Sequence, residues 1–323
     1  MMEKKSILFG FYKGLGDFIS DSYIMEVFIR NGFHVSVVVS HWFYDLARFM
    51  LPLADIIPYK SSKDIVDIDY DYGYIFLTPN YLHPASLEKR ALWLYLSKLF
   101  IVKSKTDAKI IHPSLKDLFF HYFQLKKTFL DEHFYLMSLY LIRKYFPHMT
   151  FRPLAWNTSS KPKISRIVVF PFSGNEKKDY PIHNYIFLLR KLKEEGIKDI
   201  DILVTQKDIP KVKSLEKEFS VKSMSLVDLA KYFKKTDLII SGDTGPAHLA
   251  AYYSGNVVVL YGYTKPEKYK PLGEGKILTL KSETGKVGDI SHKEIFKSIK
   301  ENFVLRGREK DGEHNVIYLY SNV

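Results

Sequence analysis

The chain has 323 residues, 46% of them hydrophobic, which is length and apolar content enough for two domains. It contains no Cys, so disulfides, thiol nucleophiles and Cys-ligated metal sites are excluded together. The formal net charge of +12 suits nucleic acid, an anionic membrane surface or a phosphorylated substrate, and no uncharged run approaches the roughly 18 residues of a membrane span.

The N-terminus, MMEKKS, has the basic start of a signal peptide but neither a sufficient apolar stretch nor a small-residue cleavage site, so a soluble, cytoplasmic protein is expected. It runs into the apolar strand Ile7-Leu8-Phe9 and then "FGFYKGLGDFISD", a glycine turn between a strand and a helix. Such a turn commonly holds phosphate. A nicotinamide fingerprint would want a third small residue where Ile19 stands, and an acid at the end of the second strand, where the chain offers Ser40 and His41.

In the first half, strands are expected near 5–10, 33–39, 55–58 and 72–78. Helices are expected over 17–31, 42–51, 86–101 and 114–146, the last long enough to be broken. Gly32 reads as the stop of the first helix. Near-continuous apolar strands separated by helices imply a parallel sheet covered on both faces. Residues 86–148 carry 11 Lys and Arg against 5 Asp and Glu, interleaved with 13 aromatics. This segment is either a solvated helical surface or a membrane-facing one.

Pro147 to Pro162 lacks periodicity and reads as a linker. The α/β pattern then restarts. Strands are expected at 167–170, 200–205 and 237–241, and helices at 182–195, 209–219, 225–235 and 291–303. The last residues, from Arg306, begin as a charged linker. At 241–271 the strand stops at Gly242, and Pro246 sits where a first helical turn should begin. The amides of Thr244, Gly245 and Ala247 would point out of that helix end and, with its dipole, favour an anion. Asp243 at the mouth would be repelled by phosphate and is better matched to sugar hydroxyls. The plainer alternative makes Asp243 or Thr244 an N-cap and His248 an ordinary helix residue.

"DTGPAHLAA" followed by "VVVLYGYTKPEKYKP" resembles the signature of glycosyltransferase family 9, the lipopolysaccharide heptosyltransferases: D-T-G-x-x-H-L-A-A, a strand, then F-G-x-T-x-P. "GLGD" at 14–17 is similar to the family's first-loop element, and "PFSGNEKKDYP" at 171–181 to its lysine loop, which places Lys178 on the family lysine. "MSLVDLAKYFKKTDLIISGDTGP" agrees with the run into the signature. There are departures. Tyr180 replaces the usual Trp, Asn256 precedes a strand without its usual proline, and Tyr263 stands where many members have proline.

The resemblance implies an α/β GT-B fold, two Rossmann-like domains facing each other across a cleft. Domain 1–157 would bind the acceptor, 158–305 the nucleotide sugar, and 306–323 would form a tail. It implies inverting transfer of a sugar, heptose from ADP-heptose, to a lipopolysaccharide core hydroxyl. An alternative is transfer of another nucleotide sugar to a surface glycan. Asp17 is then the general base for the acceptor hydroxyl, ionised at an ordinary carboxylate pKa of about 3.9. Capping of helix 17–31 is its plainer role. Lys178, Ser173 and the amides at Thr244 and Gly245 would meet the leaving diphosphate. Asp208 would hold ribose, Met224 would begin the nucleobase seat, and Asp243 and His248 complete the donor set. Gly14 and Gly16 form the acceptor loop.

Asp67 and Asp69 in "VDIDYD" have metal-like spacing but read as a solvated turn, so no metal or other cofactor is expected. The expected partners are the nucleotide sugar, a lipid-linked oligosaccharide acceptor and the anionic inner face of the inner membrane, where the protein would be peripheral. Two other classes stay open. One is an NAD-dependent oxidoreductase. The other is a nucleic-acid binder using the basic aromatic segment, although no such motif is present.

Overall fold

The computed structural model describes residues 5–79, 89–123, 126–151, 161–253 and 255–306, with the backbone alone for 62, 63, 89–93 and 122. The expected helix start at 86, the Trp93 side chain, most of the expected linker and the tail lie outside the described residues.

The first half runs β1 (Ser6–Tyr12), α1 (Leu15–Arg30), β2 (His34–Ser40), α2 (Tyr44–Met50), β3 (Asp55–Tyr59), α3 (Ser62–Val66), β4 (Tyr74–Leu77), α4 (Lys89–Lys103), β5 (Lys109–Ile111), α5 (Leu115–Tyr122) and α6 (Phe134–Tyr145). The second runs β6 (Lys163–Ile164), β7 (Arg166–Phe170), α7 (Ile182–Glu194), β8 (Asp199–Leu203), α8 (Ile209–Val212), β9 (Ser220–Lys222), α9 (Leu226–Phe233), β10 (Leu238–Gly242), α10 (Gly245–Tyr253), β11 (Val257–Tyr261), α11 (Pro266–Tyr269), β12 (Ile277–Lys281), α12 (His292–Asn302) and β13 (Val304–Leu305).

All pairings are parallel. The first sheet has the order β3-β2-β1-β4-β5, the second β12-β11-β10-β7-β8-β9, and β6 pairs with β13. Both main sheets reverse direction beside their first strand. The crevices at the C-terminal ends of β1/β4 and of β7/β10 are therefore the places where such sheets bind ligands.

Local sequence explains the boundaries. Gly32 has φ +75° and closes α1, with Phe33 N donating to the Phe28 carbonyl at 3.1 Å and Gly32 N to that of Ile29 at 3.0 Å. Ser114 caps α5 and His133 caps α6, which is why the expected 114–146 helix is broken. The expected 209–219 helix is one short α-turn continued as a 3-10 turn over Lys213–Lys217. β5 and β9, three residues each, are too short to show periodicity.

The domains meet through helices. α1 packs on α10 and α2 on α9, and one apolar cluster continues from Phe18 and Met25 to Ala247 and Phe233. Polar ties cross the same junction. Tyr23 Oη donates to the Leu272 carbonyl at 3.1 Å, Lys268 Nζ to that of Leu130 at 3.1 Å, and His133 Nε2 bonds that of Lys270 at 2.8 Å. The other face of the second sheet is closed by α7 and α12 around Leu188, Leu189 and Ile295. Among the described residues no helix is long and apolar enough to cross a membrane.

Candidate active site

The loop after β1 begins the site. Gly14 is the N-cap of α1, with extended backbone and no side-chain cap. The helix thus starts at Leu15, and Asp17 lies inside its first turn rather than capping it. A Cβ on Gly14 would lie 2.8 Å from Asp17 Oδ2, so glycine leaves the room into which the carboxyl folds back. Asp17 is not the ordinary ionised carboxylate expected from sequence. Burial, and then the charges of Asp21 and Asp243, push its pKa up to about 8, with Lys178 pulling the other way. That direction favours the protonated carboxyl.

The loop after β7 is folded on itself. Ser173 donates to Asp179 Oδ1 through both N and Oγ, each at 2.7 Å, so its hydroxyl is already engaged. Asn175 caps the 3-10 turn Glu176–Lys178 by accepting from Lys177 N at 3.1 Å. This sets Lys178 Nζ 2.8 Å from Asp243 Oδ2. Asp243 follows β10 and is almost fully buried, so it spends its carboxylate on the lysine. Thr244 and Gly245 open α10, but the Ala247 amide donates to the Thr244 carbonyl at 3.1 Å. The expected anion site is left with the Thr244 and Gly245 amides.

His248 is buried and its pKa is lowered to about 4 by that burial, which Asp243 opposes and Lys178 reinforces, so the ring is neutral. Its Nδ1 has no hydrogen-bond partner among the described residues. A Cβ on Gly16 would lie 3.0 Å from His248 Cδ2, and one on Gly245 would lie 3.0 Å from Leu15 Cβ. The glycines at 16 and 245 let the first turns of α1 and α10 touch. Asp208 follows β8 and is buried; burial alone would raise its pKa, but hydrogen bonds from the Thr205 hydroxyl and Lys211 hold it below the usual carboxylate range.

One cavity of about 1080 Å³ gathers these groups. Gly14, Gly16 and Asp17 face Ser173, Lys178, Asp208, Asp243, Thr244, Gly245 and His248 across it. Met224 is the exception. It packs half-buried against the core, and Leu226, two residues on, lines the wall. Among the described residues no group of three His, Asp or Glu could hold a metal; Asp69 Oδ1 instead accepts from Asp71 N at 3.0 Å, closing a turn.

The departures from the family pattern fall in different places. Tyr180 is a core residue whose hydroxyl donates to the Ile290 carbonyl at 2.8 Å. Asn256 joins strands, donating to the Asp237 carbonyl at 3.0 Å and accepting from Lys276 N at 3.0 Å. Tyr263 alone is at the site, where its hydroxyl accepts from Asn175 Nδ2 at 3.0 Å. Sequence reasoning also passed over Asp21, although a second Asp one turn after Asp17 in an apolar helix was a visible signal. It passed over the Phe134–Tyr269 edge-to-face pair too, centroids 4.8 Å apart, which lines the cavity from both domains.

Two Rossmann-like domains with their switch points opposed across a cleft define the GT-B class. A sequence model of glycosyltransferase family 9 (heptosyltransferase) matches residues 122–300, more than half of the chain. The chain belongs to that family.

Solved structures agree in fold. Escherichia coli heptosyltransferase WaaC with ADP has a TM-score of 0.66 at 16% identity, over 92% of this chain and 99% of that one. A family 9 glycosyltransferase from Veillonella parvula has 0.66 at 16%, over 93% and 98%. WaaC with ADP-2-deoxy-2-fluoro heptose has 0.64 at 15%, over 92% and 99%. A search of curated proteins by sequence finds no match.

Proposed function

We propose that the protein is an inverting transferase that moves heptose from ADP-heptose onto a hydroxyl of a lipopolysaccharide core acceptor. Residues 1–157 would bind the acceptor and 158–305 the donor. The observation that carries this reading is the opposition of Asp17 to Lys178, Asp243 and the start of α10 across one cavity. A base and a cation-plus-helix anion site on facing domains suit an acceptor hydroxyl on one side and a diphosphate on the other. The donor choice follows the nucleotides named for WaaC.

The acceptor hydroxyl attacks the anomeric carbon as its proton passes to Asp17. The bond from that carbon to the diphosphate breaks on the opposite face, and the departing charge goes to Lys178 and the Thr244 and Gly245 amides. Binding of the diphosphate takes over the ammonium that Asp243 now holds and turns Asp243 toward sugar hydroxyls. Asp208 holds ribose, and the chain from Met224 seats the base. The lysine and helix end make a metal unnecessary.

The acceptor is lipid-linked, so the enzyme would work at the cytoplasmic face of the inner membrane. Exposed Phe100 on α4, and Leu115 and Phe119 on α5 with Phe123 just beyond it, stand among basic residues, as interfacial segments do. Lys98, within the same basic segment, is not part of such a surface. It lies over the Phe11 ring, 5.4 Å from the centroid, and burial, with Lys13 adding, lowers its pKa to about 8.

The test is transfer from ADP-heptose to truncated cores, read by product mass. Asp17→Asn should cut turnover by about 100-fold or more, the scale of general-base catalysis, and leave ADP affinity intact. Loss of ADP affinity in step with the rate would remove Asp17 as base. Product from other nucleotide sugars but not from ADP-heptose would overturn the donor.

A further inference from the structure

One turn along α1 from Asp17, Asp21 is 0% exposed. Tyr12, at the end of β1, donates its hydroxyl to Asp21 Oδ2 at 2.8 Å, and Thr78, just past β4, donates at 3.2 Å. The Ser138 hydroxyl of α6 faces the same carboxyl. Yet among the described residues neither Asp21 Oδ1 nor Ser138 Oγ completes a hydrogen bond. Unpartnered buried polar atoms of this kind are uncommon. Residues four apart share a helix face, so the two carboxyls are neighbours, Asp21 in the interior and Asp17 half-buried where that face meets the cavity.

We propose that Asp21 is a positioning residue that sets the protonation of Asp17 and makes it a stronger base. An ionised Asp21 disfavours a second negative charge one turn away. Asp17 then holds a proton more firmly, and a carboxylate of higher proton affinity draws the acceptor proton more strongly during attack. This inference rests on Asp17 being the base.

The other groups that bear on the pair are few. Asp243 and Lys178 act on Asp17 from the second domain, Asp243 in the same sense as Asp21 and Lys178 against it. His248 of α10, beside Gly16, is neutral. Tyr269 adds a hydroxyl that stays protonated. The side chains facing Asp21 from β1, β4 and α6 are hydroxyls, which lower its pKa against the burial that raises it, to about 7. The two carboxyls titrate as a coupled pair, both made harder to ionise by burial.

Asp21→Asn keeps the shape, and its amide oxygen still accepts from Tyr12 and Thr78. Two readouts are needed: the pH profile of kcat/KM with ADP-heptose, and the carbon-13 carboxyl titration of Asp17, assigned with Asp17→Asn. The wild-type rate should rise with pH through the acidic limb, because Asp17 must lose its proton before it can accept one. In Asp21→Asn that limb and the Asp17 titration should both move to lower pH by about one unit, a tenfold gain in ionised Asp17 below the limb. The plateau rate should fall, because the base is weaker. Tyr12→Phe removes one donor, makes Asp21 easier to protonate, and should shift both readouts the same way by less. An Asp17 titration unchanged in both variants overturns the proposal. A titration that moves while the pH profile stays fixed upholds the coupling and instead removes Asp17 as the base.

Discussion

Lys178 and Asp243 hold each other in the wall of the cleft, and separating their effects tests the donor site. In Lys178→Met the alkyl stem stays and the ammonium goes. Asp243, whose side chain is 7% exposed, would lose the cation now 2.8 Å from it. Orphaning one member of a fully buried pair costs about 3–5 kcal/mol. The Lys178 side chain is 26% exposed, so water screens this pair, and about 1–2 kcal/mol is the better expectation. That corresponds to a fall in Tm of roughly 2–8 °C. Catalysis should suffer more. Loss of one preorganised donor to a departing oxyanion costs kcat about 100- to 1000-fold, or about 2.7–4 kcal/mol. The same change removes the charge that lowers the Asp17 pKa, so the acidic limb of the pH profile should move up. Adding Asp243→Asn removes the orphan carboxylate. The double variant should regain most of the lost stability and none of the activity. Scanning fluorimetry and steady-state assays at saturating ADP-heptose read both. A kcat for Lys178→Met within about 5-fold of wild type would show that the leaving charge is met elsewhere, well short of the loss expected for such a donor. A double variant no more stable than Lys178→Met would show that the pair does not carry the energy assigned to it.

Two further outcomes are expected. Activity should survive EDTA, since Lys178 and the α10 start supply positive potential; loss restored by Mg²⁺ or Mn²⁺ would bring Asp67 and Asp69 back as ligands. The protein should bind vesicles containing anionic lipid, more weakly as salt rises, and Lys103→Glu with Lys126→Glu should raise KM for lipid-linked acceptor alone. Equal binding to neutral vesicles would return the 86–148 segment to an ordinary solvated surface.

Much of the fold was legible because it is written in local pattern. The β-branched run Val37-Val38-Val39 and the apolar Ile7-Leu8-Phe9 are buried strand interiors, and Gly32 ends its helix in a conformation that glycine adopts without strain. The motif residues from Gly14 to Asp17 and from Asp243 to His248 were readable for a related reason, since strand-to-turn-to-helix junctions have strong local chemistry. Edge strands such as β5 and β9 were not, because three residues paired to a distant neighbour leave no periodic trace. Charge state was also out of reach. The sequence determined that Asp17, Lys178 and Asp243 are present. Only the tertiary structure decided that Asp243 holds Lys178, that His248 is neutral, and that Asp17, half-buried in the cavity wall, shares a helix face with the buried Asp21. A pKa is set by burial and by charges brought close through folding, and residues 17 and 243 become electrostatic neighbours only when two domains close on each other.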